Sequence, residues 1–322
     1  MEKAISKAGT KLILLEFYTD TWPACHRLDA ETFSDLTVQS FSKSNLISLK
    51  LDANDETGNK YFKDYNCEGV PHLLFVDQKG EEVDRIIGYL PPGEYLSRIQ
   101  DIRENKHTLD DYLTRYKNGE VTSDIIAGIA MKFEDRGEDN KANDYYTILV
   151  KDFPDDSSEY FQRGIFFLAS LAFENGNKSA LNVFIAIHRD SPFIEDAHLT
   201  MVYHYADTEQ RDEELHAYKK MIAQFPDSPG VLNSYAWRMA EIETNLKDAL
   251  QKVKRAVQLA AVDSQRQANI IDTEAEVLWK LKRFDEAIEA IERAIVIEPE
   301  NQYFRDQKEK FIQSKKGEFH SA

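Results

Sequence analysis

The chain has 322 residues and a formal net charge of −17 at pH 7, from 57 acidic and 40 basic side chains. Nucleic acids and anionic membranes attract basic surfaces, so this charge argues against either as the main ligand. The length, together with 42% hydrophobic residues, predicts about two globular domains or one long solenoid.

The sequence contains no stretch that approaches the ~20 consecutive apolar residues of a membrane helix. Residues 1–4 lack the apolar core of an export signal, so we expect a cytoplasmic protein. A chain from which such a signal had been removed would begin in a similar way and would be periplasmic. The cysteines are Cys25 and Cys67 only, which excludes a disulfide scaffold and fits a reducing compartment.

Residues 11–90 alternate between short apolar runs and helical stretches, as expected of an α/β domain. The run at 11–18 is almost continuously apolar, which is typical of a central strand covered on both faces. The predicted elements in chain order are a strand at 11–18, a helix at 24–43, a strand at 46–51, a helix at 56–66, an antiparallel hairpin of 72–76 and 82–87, and a helix at 92–104.

After about residue 105 the strand signals stop and the sequence predicts helices with an internal repeat. Each repeat closes with a proline, or in one case with an alanine, and these residues lie 34 to 38 positions apart. They are Pro154, Pro192, Pro226, Ala261 and Pro299. Twelve positions before them stand Ala142, Ala180, Glu214, Ala249 and Ala287, so four of the five are small.

This period and the small residue inside it resemble the tetratricopeptide repeat. The resemblance implies about five repeats over residues 106–322, which form an all-α solenoid whose concave face binds peptides or proteins. A plain helical bundle is the alternative.

Residues 16–31 follow the first strand and open the first helix, and they resemble the active-site region of the thioredoxin superfamily, where a strand leads into a Trp-Cys-x-x-Cys turn. Gly69-Val70-Pro71 resembles the cis-proline loop of that family, Gly80 its hairpin glycine, and Ile87-Gly88-Tyr89 its glycine loop. The sequence LDAETF at 28–33 is similar to the thioredoxin-related group. The resemblance covers residues 1–105 and implies an α/β thioredoxin-like domain. Its fusion to repeats resembles the chaperedoxin architecture of bacterial co-chaperones.

The sequence departs from the thioredoxin pattern at the attacking cysteine, because Trp22 stands where that cysteine is expected. A different alignment matches Trp22 to the family tryptophan and deletes the cysteine, and both alignments leave one thiol. Dithiol exchange needs one thiolate to attack the substrate disulfide and a second thiol to release the mixed disulfide. With Cys25 alone, turnover by that route cannot occur.

Cys25 is the candidate redox thiol, and two interpretations are open. It is either a reactive thiol near the positive end of a helix or a buried residue that packs as a small hydrophobe. Glu16 aligns with the buried acid of the family and is the candidate proton acceptor, unless it is a strand-end carboxylate facing water. A disulfide between Cys25 and Cys67, and a catalytic or metal-binding role for His26 or His72, are weaker alternatives.

The resemblance also implies a peptide-binding groove, in which an extended segment pairs with the cis-proline loop. The candidate residues of this groove are Trp22, Val70, Pro71 and Gly88. Alternatively, Trp22 covers the core at the end of the first strand. On the repeats, Asn233, Arg238 and Lys280 are available to grip a carboxylate.

These features predict a thioredoxin-like adaptor or co-chaperone that binds client or partner proteins through the groove and the repeats, without dithiol turnover. One alternative is a thiol-disulfide oxidoreductase that uses Cys25 in monothiol or glutathione-coupled exchange. Another is an assembly scaffold whose first domain has lost its role. No phosphate loop, His-Glu-x-x-His motif or nucleophile elbow occurs in the sequence, so we expect no cofactor and no metal.

Overall fold

The computed structural model describes residues 2–20, 22–154, 158–261 and 263–321. The chain divides into two compact units, Met1–Phe193 and Ile194–Ala322. The first unit contains the sheet and the first helices of the repeat region. The domain boundary expected near residue 105 lies inside this unit, and it stays a prediction.

The strands in the described part of the first unit are β1 (Leu12–Tyr18), β2 (Leu46–Asp52), β3 (His72–Val76) and β4 (Glu82–Ile87). Its helices are α1 (Glu2–Ala8), α2 (Pro23–Arg27), α3 (Leu36–Asn45), α4 (Glu56–Asp64), α5 (Pro92–Arg103), α6 (Leu109–Lys117), α7 (Ser123–Glu134), α8 (Asp139–Asp152), α9 (Glu159–Glu174) and α10 (Ala180–Ile187). The second unit contains α11 (Ile194–Asp207), α12 (Arg211–Gln224), α13 (Pro229–Glu241), α14 (Leu246–Leu259), α15 (Ser264–Lys280), α16 (Phe284–Ile297) and α17 (Gln302–Ser321).

The strands form one mixed sheet in the order β2-β1-β3-β4. β1 runs parallel to β2 and antiparallel to β3, and β3 and β4 form the predicted antiparallel hairpin. The five inner residues of β1 are all buried, because apolar side chains pack on both faces of the sheet. One face is covered by Tyr95 and Ile99 of α5, and the other by Ala4 and Ala8 of α1. The prediction of a central strand at 11–18 is confirmed.

The single helix predicted at 24–43 is wrong, because the structure breaks it. A π-helical turn, Leu28–Phe33, continues directly from α2, and α3 then begins as a new helix. The side chain of Asp35 accepts hydrogen bonds from the backbone N–H groups of Thr37 and Val38 at 2.8 and 3.0 Å. This is an N-cap, which satisfies the free donors of a helix start and therefore favours a new helix at this position.

The repeat region consists of helix pairs. Within the described residues, α7 and α8, α9 and α10, α11 and α12, α13 and α14, and α15 and α16 are successive pairs, and α17 follows the last of them. The helices of each pair pack on one another. The small residues Ala142, Ala249 and Ala287 stand four residues into the second helix of their pair and are completely buried. Their size lets the two helices approach, as the repeat pattern predicts.

Glu214 occupies the same position in α12 and is also buried, at 1% exposure. Its carboxylate accepts hydrogen bonds from Arg238 Nε at 2.6 Å and from Arg211 Nη1 at 2.8 Å. A buried carboxylate is stable only when it is paired and hydrogen-bonded. Glu214 is the exception to the small-residue pattern, and its charge is balanced by Arg211 on the same helix and by Arg238 on α13.

A group of charged side chains joins the sheet to the first repeat helix within the first unit. This β4–α7 ion cluster consists of Glu82, Asp84, Arg85, Arg98, Lys132 and Arg136. Asp84 is completely buried, and it accepts hydrogen bonds from Lys132 Nζ at 2.7 Å, from the guanidinium of Arg98 and from the backbone N–H of Arg85. Asp84 therefore connects β4 to α5 and α7 at once.

Arg85 provides a second connection in the same cluster. Its guanidinium is paired with Glu82 at 2.5 Å, and it also donates to the backbone carbonyl groups of Tyr65 at 2.9 Å and of Asp135 at 2.8 Å. Asp135 directly follows α7, so this hydrogen bond ties β4 to the end of that helix. Arg136 is paired with Glu82 at 3.0 Å. The cluster thus fixes the position of α7 on the edge strand of the sheet.

We predict that Asp84→Asn destabilises the first unit strongly, because it keeps the shape of the side chain but leaves Lys132 and Arg98 without their counter-ion. The expected loss in free energy of unfolding is about 3 to 5 kcal/mol. The matched control is Asp64→Asn, which removes an exposed ion pair with Lys60 at 2.7 Å and should cost less than about 1 kcal/mol. Urea unfolding, with hydrogen exchange to assign the transition to the first unit, measures both. Equal losses would contradict the assigned role of Asp84.

The contact between α15 and α17 in the second unit contains a carboxylate with an incomplete set of hydrogen bonds. Asp272 is 6% exposed, and its Oδ2 accepts a hydrogen bond from the hydroxyl of Tyr303 at 3.2 Å. Its Oδ1 has no hydrogen-bond partner among the described residues. Burial raises the pKa of Asp272 to about 7, and the nearby Glu276 adds to the shift, whereas Tyr303 and Lys310 oppose it. Asp272 therefore keeps its proton in the folded protein up to near-neutral pH.

This shift predicts a pH-dependent stability of the second unit. An aspartate has an ordinary pKa near 3.8, so the folded state binds the proton more tightly than the unfolded state between about pH 4 and pH 7. Stability should therefore fall over this interval as pH rises, by about 1.4 kcal/mol per pH unit. Asp272→Asn should remove this contribution, whereas Asp285→Asn, at an exposed ion pair in the same unit, should retain it. Urea unfolding across the interval is the measurement, and an unchanged slope in the Asp272 variant would refute the prediction.

Candidate functional site

The segments that carry the predicted site residues leave the sheet at the same end. Phe17 of β1 is paired with His72 of β3, and His72 is paired with Ile87 of β4. The loop after β1, the loop before β3 and the loop after β4 therefore meet. This topology places the groove candidates Trp22, Val70, Pro71 and Gly88 at one edge of the domain.

Cys25 lies in the first turn of α2, where Trp22 is the N-cap residue and Pro23 the first helical residue. The backbone N–H of Cys25 donates to the carbonyl of Trp22 at 3.0 Å. The side chain is 3% exposed, and its burial raises the pKa of the thiol above the ordinary value. A backbone hydrogen bond from Thr19 opposes this shift, and the charge of Glu16 adds to it. The thiolate is therefore disfavoured, in spite of the helix start.

Glu16 is buried beside Cys25 and is paired with a lysine. Lys50 on the neighbouring strand β2 places its Nζ 3.1 Å from Glu16 Oε1 and 2.6 Å from Asp29 Oδ1. Burial raises the pKa of Glu16, and Lys50 opposes that shift. The candidate proton acceptor thus faces a lysine and not bulk water. Lys50 was not among the predicted site residues, and its signal in the sequence is only its position in a strand next to β1.

Trp22 is largely on the surface, with 54% of its area exposed. This exposure argues against the alternative in which its indole covers the core at the end of the first strand. Ile87, at the end of β4 beside the glycine loop, is also exposed, at 47%. Large apolar side chains that remain exposed at a loop cluster are typical of surfaces that bind other molecules.

A clasp of three side chains that the sequence patterns did not reveal lies beside Gly88. The guanidinium of Arg27 stacks over the ring of Tyr89, 4.0 Å from its centroid, and donates to Glu31 at 3.0 Å. The hydroxyl of Tyr89 donates to Glu31 at 2.5 Å. These contacts attach the glycine loop to the helix that carries Cys25. The spacing of four residues between Arg27 and Glu31 is the only signal of this clasp in the sequence.

The loop before β3 contains a cis peptide bond between Val70 and Pro71. The backbone N–H of Gly88 donates to the carbonyl of Pro71 at 2.9 Å, which joins this loop to the glycine loop. Gly88 has a φ of +87°, a conformation that favours glycine. Pro71 is buried, Val70 is half-buried and Gly69 is exposed. The accessible part of the loop thus lies at Gly69 and, in part, at Val70.

The histidines near the site have structural partners. His26 is exposed, and its Nε2 lies 2.7 Å from the carbonyl of Asp20. His72 is completely buried, and burial lowers its pKa to about 4, so it is neutral. Cys67 is also buried, which raises the pKa of its thiol to about 12, and both Cys25 and Cys67 are free thiols.

The three residues considered as a carboxylate grip on the repeats have other contacts. Arg238 is paired with Glu214 and Glu241, and Lys280 with Glu243 at 2.9 Å. The side-chain oxygen of Asn233 is buried without a hydrogen-bond partner among the described residues. This set of residues therefore does not offer free cations to a ligand.

The part of the chain that the structure describes contains no cluster of three or more His, Cys, Asp and Glu side chains arranged to hold a metal ion. No helix in the same residues has the length and apolar character needed to cross a membrane.

The comparison with known proteins gives a match to the first part of the chain. Residues 1–103 match the family model of a thioredoxin-like domain. A thiol:disulfide interchange protein DsbD from Tatumella citrea is 30% identical over 106 residues, which is 32% of this chain and 18% of that protein. The DsbD of Pasteurella multocida is 27% identical over the same length. The chain thus spans only 18% of the length of these curated relatives.

Similar solved structures include a protein with repeats. A tetratricopeptide repeat protein from Parabacteroides merdae is 14% identical, with a TM-score of 0.35, over 68% of this chain and 80% of that one. A thioredoxin from Thermus thermophilus is 22% identical, with a TM-score of 0.29, over 31% of this chain and 80% of that one. The predicted fold class is confirmed: the family model covers the α/β thioredoxin-like domain, and the helix pairs form the all-α array of tetratricopeptide type that follows it.

We predict that Cys25 reacts slowly with iodoacetamide in the folded protein, with an apparent pKa above the ~8.5 of free cysteine, because the thiol is buried. Cys67 should react more slowly still, since its pKa is raised to about 12. Mass spectrometry of the two peptides across a pH series separates the thiols, and the urea-unfolded protein provides the control in which both react alike. Rapid modification of Cys25 at neutral pH would contradict this prediction.

Proposed function

We propose that this chain is a protein-binding adaptor or co-chaperone, whose thioredoxin-like domain holds an extended segment of a client or partner protein without dithiol turnover. One observation carries the proposal. At the N-cap of α2, where the attacking cysteine of a dithiol pair would stand, the chain has an exposed tryptophan, and Cys25 is buried behind it.

The chemistry of thiol exchange supports this proposal. Turnover needs an accessible thiolate and a second thiol that resolves the mixed disulfide. Cys25 is 3% exposed, and its burial favours the protonated form. Cys67 is buried in the core on the α1 side of the sheet, so it is not placed to act as the second thiol. A reducing compartment such as the cytoplasm fits two cysteines that stay free.

The surface around Trp22 has the features of a peptide-binding site. An extended segment bound beside Val70 would pair with its backbone, and its side chains would contact Trp22 and Ile87, which together present a large apolar area. The clasp of Arg27, Glu31 and Tyr89 holds one wall of this groove in place, which reduces the ordering cost of binding. Gly88 leaves that wall without a side chain next to the loop.

The repeats supply the second binding surface in this proposal. Arrays of paired helices commonly bind proteins. In the second unit, Tyr203 of α11 and Trp237 of α13 lie on the first helices of successive pairs and are 54% and 37% exposed. Aromatic side chains of this kind are enriched among residues that dominate protein interfaces.

The similarity to proteins named thiol:disulfide interchange proteins favours a second function, monothiol or glutathione-coupled exchange at Cys25. In that function a glutathione thiol would take the place of the missing cysteine. The burial of Cys25 argues against it, and the experiment below distinguishes the two functions.

We predict that Trp22→Ala weakens the binding of a permanently unfolded, alkylated protein by about tenfold, because the substitution removes the exposed apolar anchor of the groove. The matched control is Leu36→Ala on α3, which removes an even more exposed apolar side chain and should change the affinity by less than about twofold. Fluorescence anisotropy of the labelled client measures both. Equal affinities for the wild type and the Trp22 variant would refute the proposed groove.

A second assay measures catalysis and distinguishes the two functions. The wild-type chain should not catalyse insulin reduction by dithiothreitol or by glutathione, whereas Trp22→Cys, which restores a Cys-x-x-Cys spacing with Cys25, should gain activity. Adding Cys25→Ser to that variant should remove the gain. Glutathione-dependent turnover by the wild type that is lost in Cys25→Ser would establish the second function in place of the first.

A further inference from the structure

A cleft of about 510 Å³ lies on the second unit, between the second helices of two successive pairs. It is formed by α12 and α14, and Tyr235 from the middle of α13 also lines it. It is separate from the thioredoxin-like groove, and none of the site residues predicted from the sequence lines it. The family model, which matches residues 1–103, does not include this part of the chain.

The walls of the cleft follow the geometry of its helices. On α12, Leu215, Lys219 and Ile222 are spaced by four and then three residues, so they share one face of the helix. On α14, Asp248 and Lys252 are four residues apart and also share a face. Each wall therefore combines a lysine with another kind of side chain, apolar on α12 and acidic on α14.

The lysines of the cleft carry charge that the fold does not neutralise. Lys219 is exposed and Lys252 half-buried, and within the described residues neither has a carboxylate at ion-pair distance. Two other basic side chains of α14 are paired, Arg255 with Asp227 at 3.0 Å and Lys254 with Glu274 at 4.0 Å. In a chain with a net charge of −17, two unpaired lysines that face one cleft form a local site for negative charge.

The other side chains of the cleft indicate which kind of negatively charged ligand fits it. Leu215 and Ile222 offer apolar contacts, and the hydroxyl of Tyr235 donates to Asp248 at 2.9 Å. Asp248 keeps acceptor capacity for the N–H groups of a ligand backbone. A polyphosphate or a nucleic acid backbone would leave the apolar wall of Leu215 and Ile222 without a contact. A peptide with both acidic and apolar side chains would contact the two lysines and the apolar wall.

We propose that this cleft binds an acidic peptide segment of a partner protein, with carboxylates on Lys219 and Lys252 and an apolar side chain against Leu215 and Ile222. The site goes beyond the proposed groove and does not depend on Trp22. An experiment that refutes binding at the cleft therefore does not refute binding at the groove, and the reverse also holds.

The test uses a fluorescein-labelled peptide of alternating Glu and Leu and the full chain. We expect saturable binding that weakens with added salt, and a loss of at least about tenfold in the double variant Lys219→Glu and Lys252→Glu. The matched control is Lys117→Glu with Lys151→Glu, which reverses two exposed lysines of the first unit and makes the same change in net charge. This control should bind the peptide like the wild type.

A second measurement locates the peptide. A zero-length carbodiimide reagent joins carboxylates to lysines in contact with them, so mass spectrometry should find the peptide on Lys219 or Lys252. Absence of binding, equal weakening by the control variant, equal affinity for a peptide of alternating Lys and Leu, or cross-links mainly at other lysines would each overturn the proposal.

Discussion

The buried charge of Asp84 is the constraint on which the first unit depends. It lies on the edge strand of the sheet, and the groups that neutralise it come from α5 and from α7. A carboxylate in this position is tolerated only while both cations are in place, since removal of either would leave charge in a poorly solvated interior. The sheet and the first repeat helix are therefore one cooperative structure. The hydrogen bond from Arg85 to the carbonyl after α7 has the same effect.

This arrangement also affects the candidate site. β4 carries Asp84 and Arg85 in its middle and leads at its end into Ile87 and Gly88. The strand that would form one side of the proposed groove is thus held by the ion cluster. The proposed groove lies at the end of the same strand, where the loops that carry Trp22 and Val70 meet.

Much of the fold follows from sequence patterns. The apolar run of β1 and the spacing of the closing prolines are patterns that extend over many residues. They therefore still predict the strand and the repeats when a single residue departs from the pattern. The break before α3 was missed because it depends on one side chain, Asp35, whose hydrogen bonds outweigh a continuous helical pattern. The meeting of the site loops could be predicted from the resemblance. The burial of Cys25 is one of two interpretations that the sequence leaves open. The pairing of Glu16 with Lys50 and the clasp at Tyr89 could not be predicted, since each depends on contacts between residues far apart in the chain.

The buried glutamate in α12 bears on how such an array can change over time. At the equivalent position of the other helix pairs the residue is small, and it needs no charged partner. Glu214 requires Arg211 and Arg238, and the second of these is contributed by the next pair. Deleting, duplicating or exchanging either pair would strand a glutamate or an arginine without its counter-charge. These two repeats therefore depend on each other for charge balance and form one structural module of the chain.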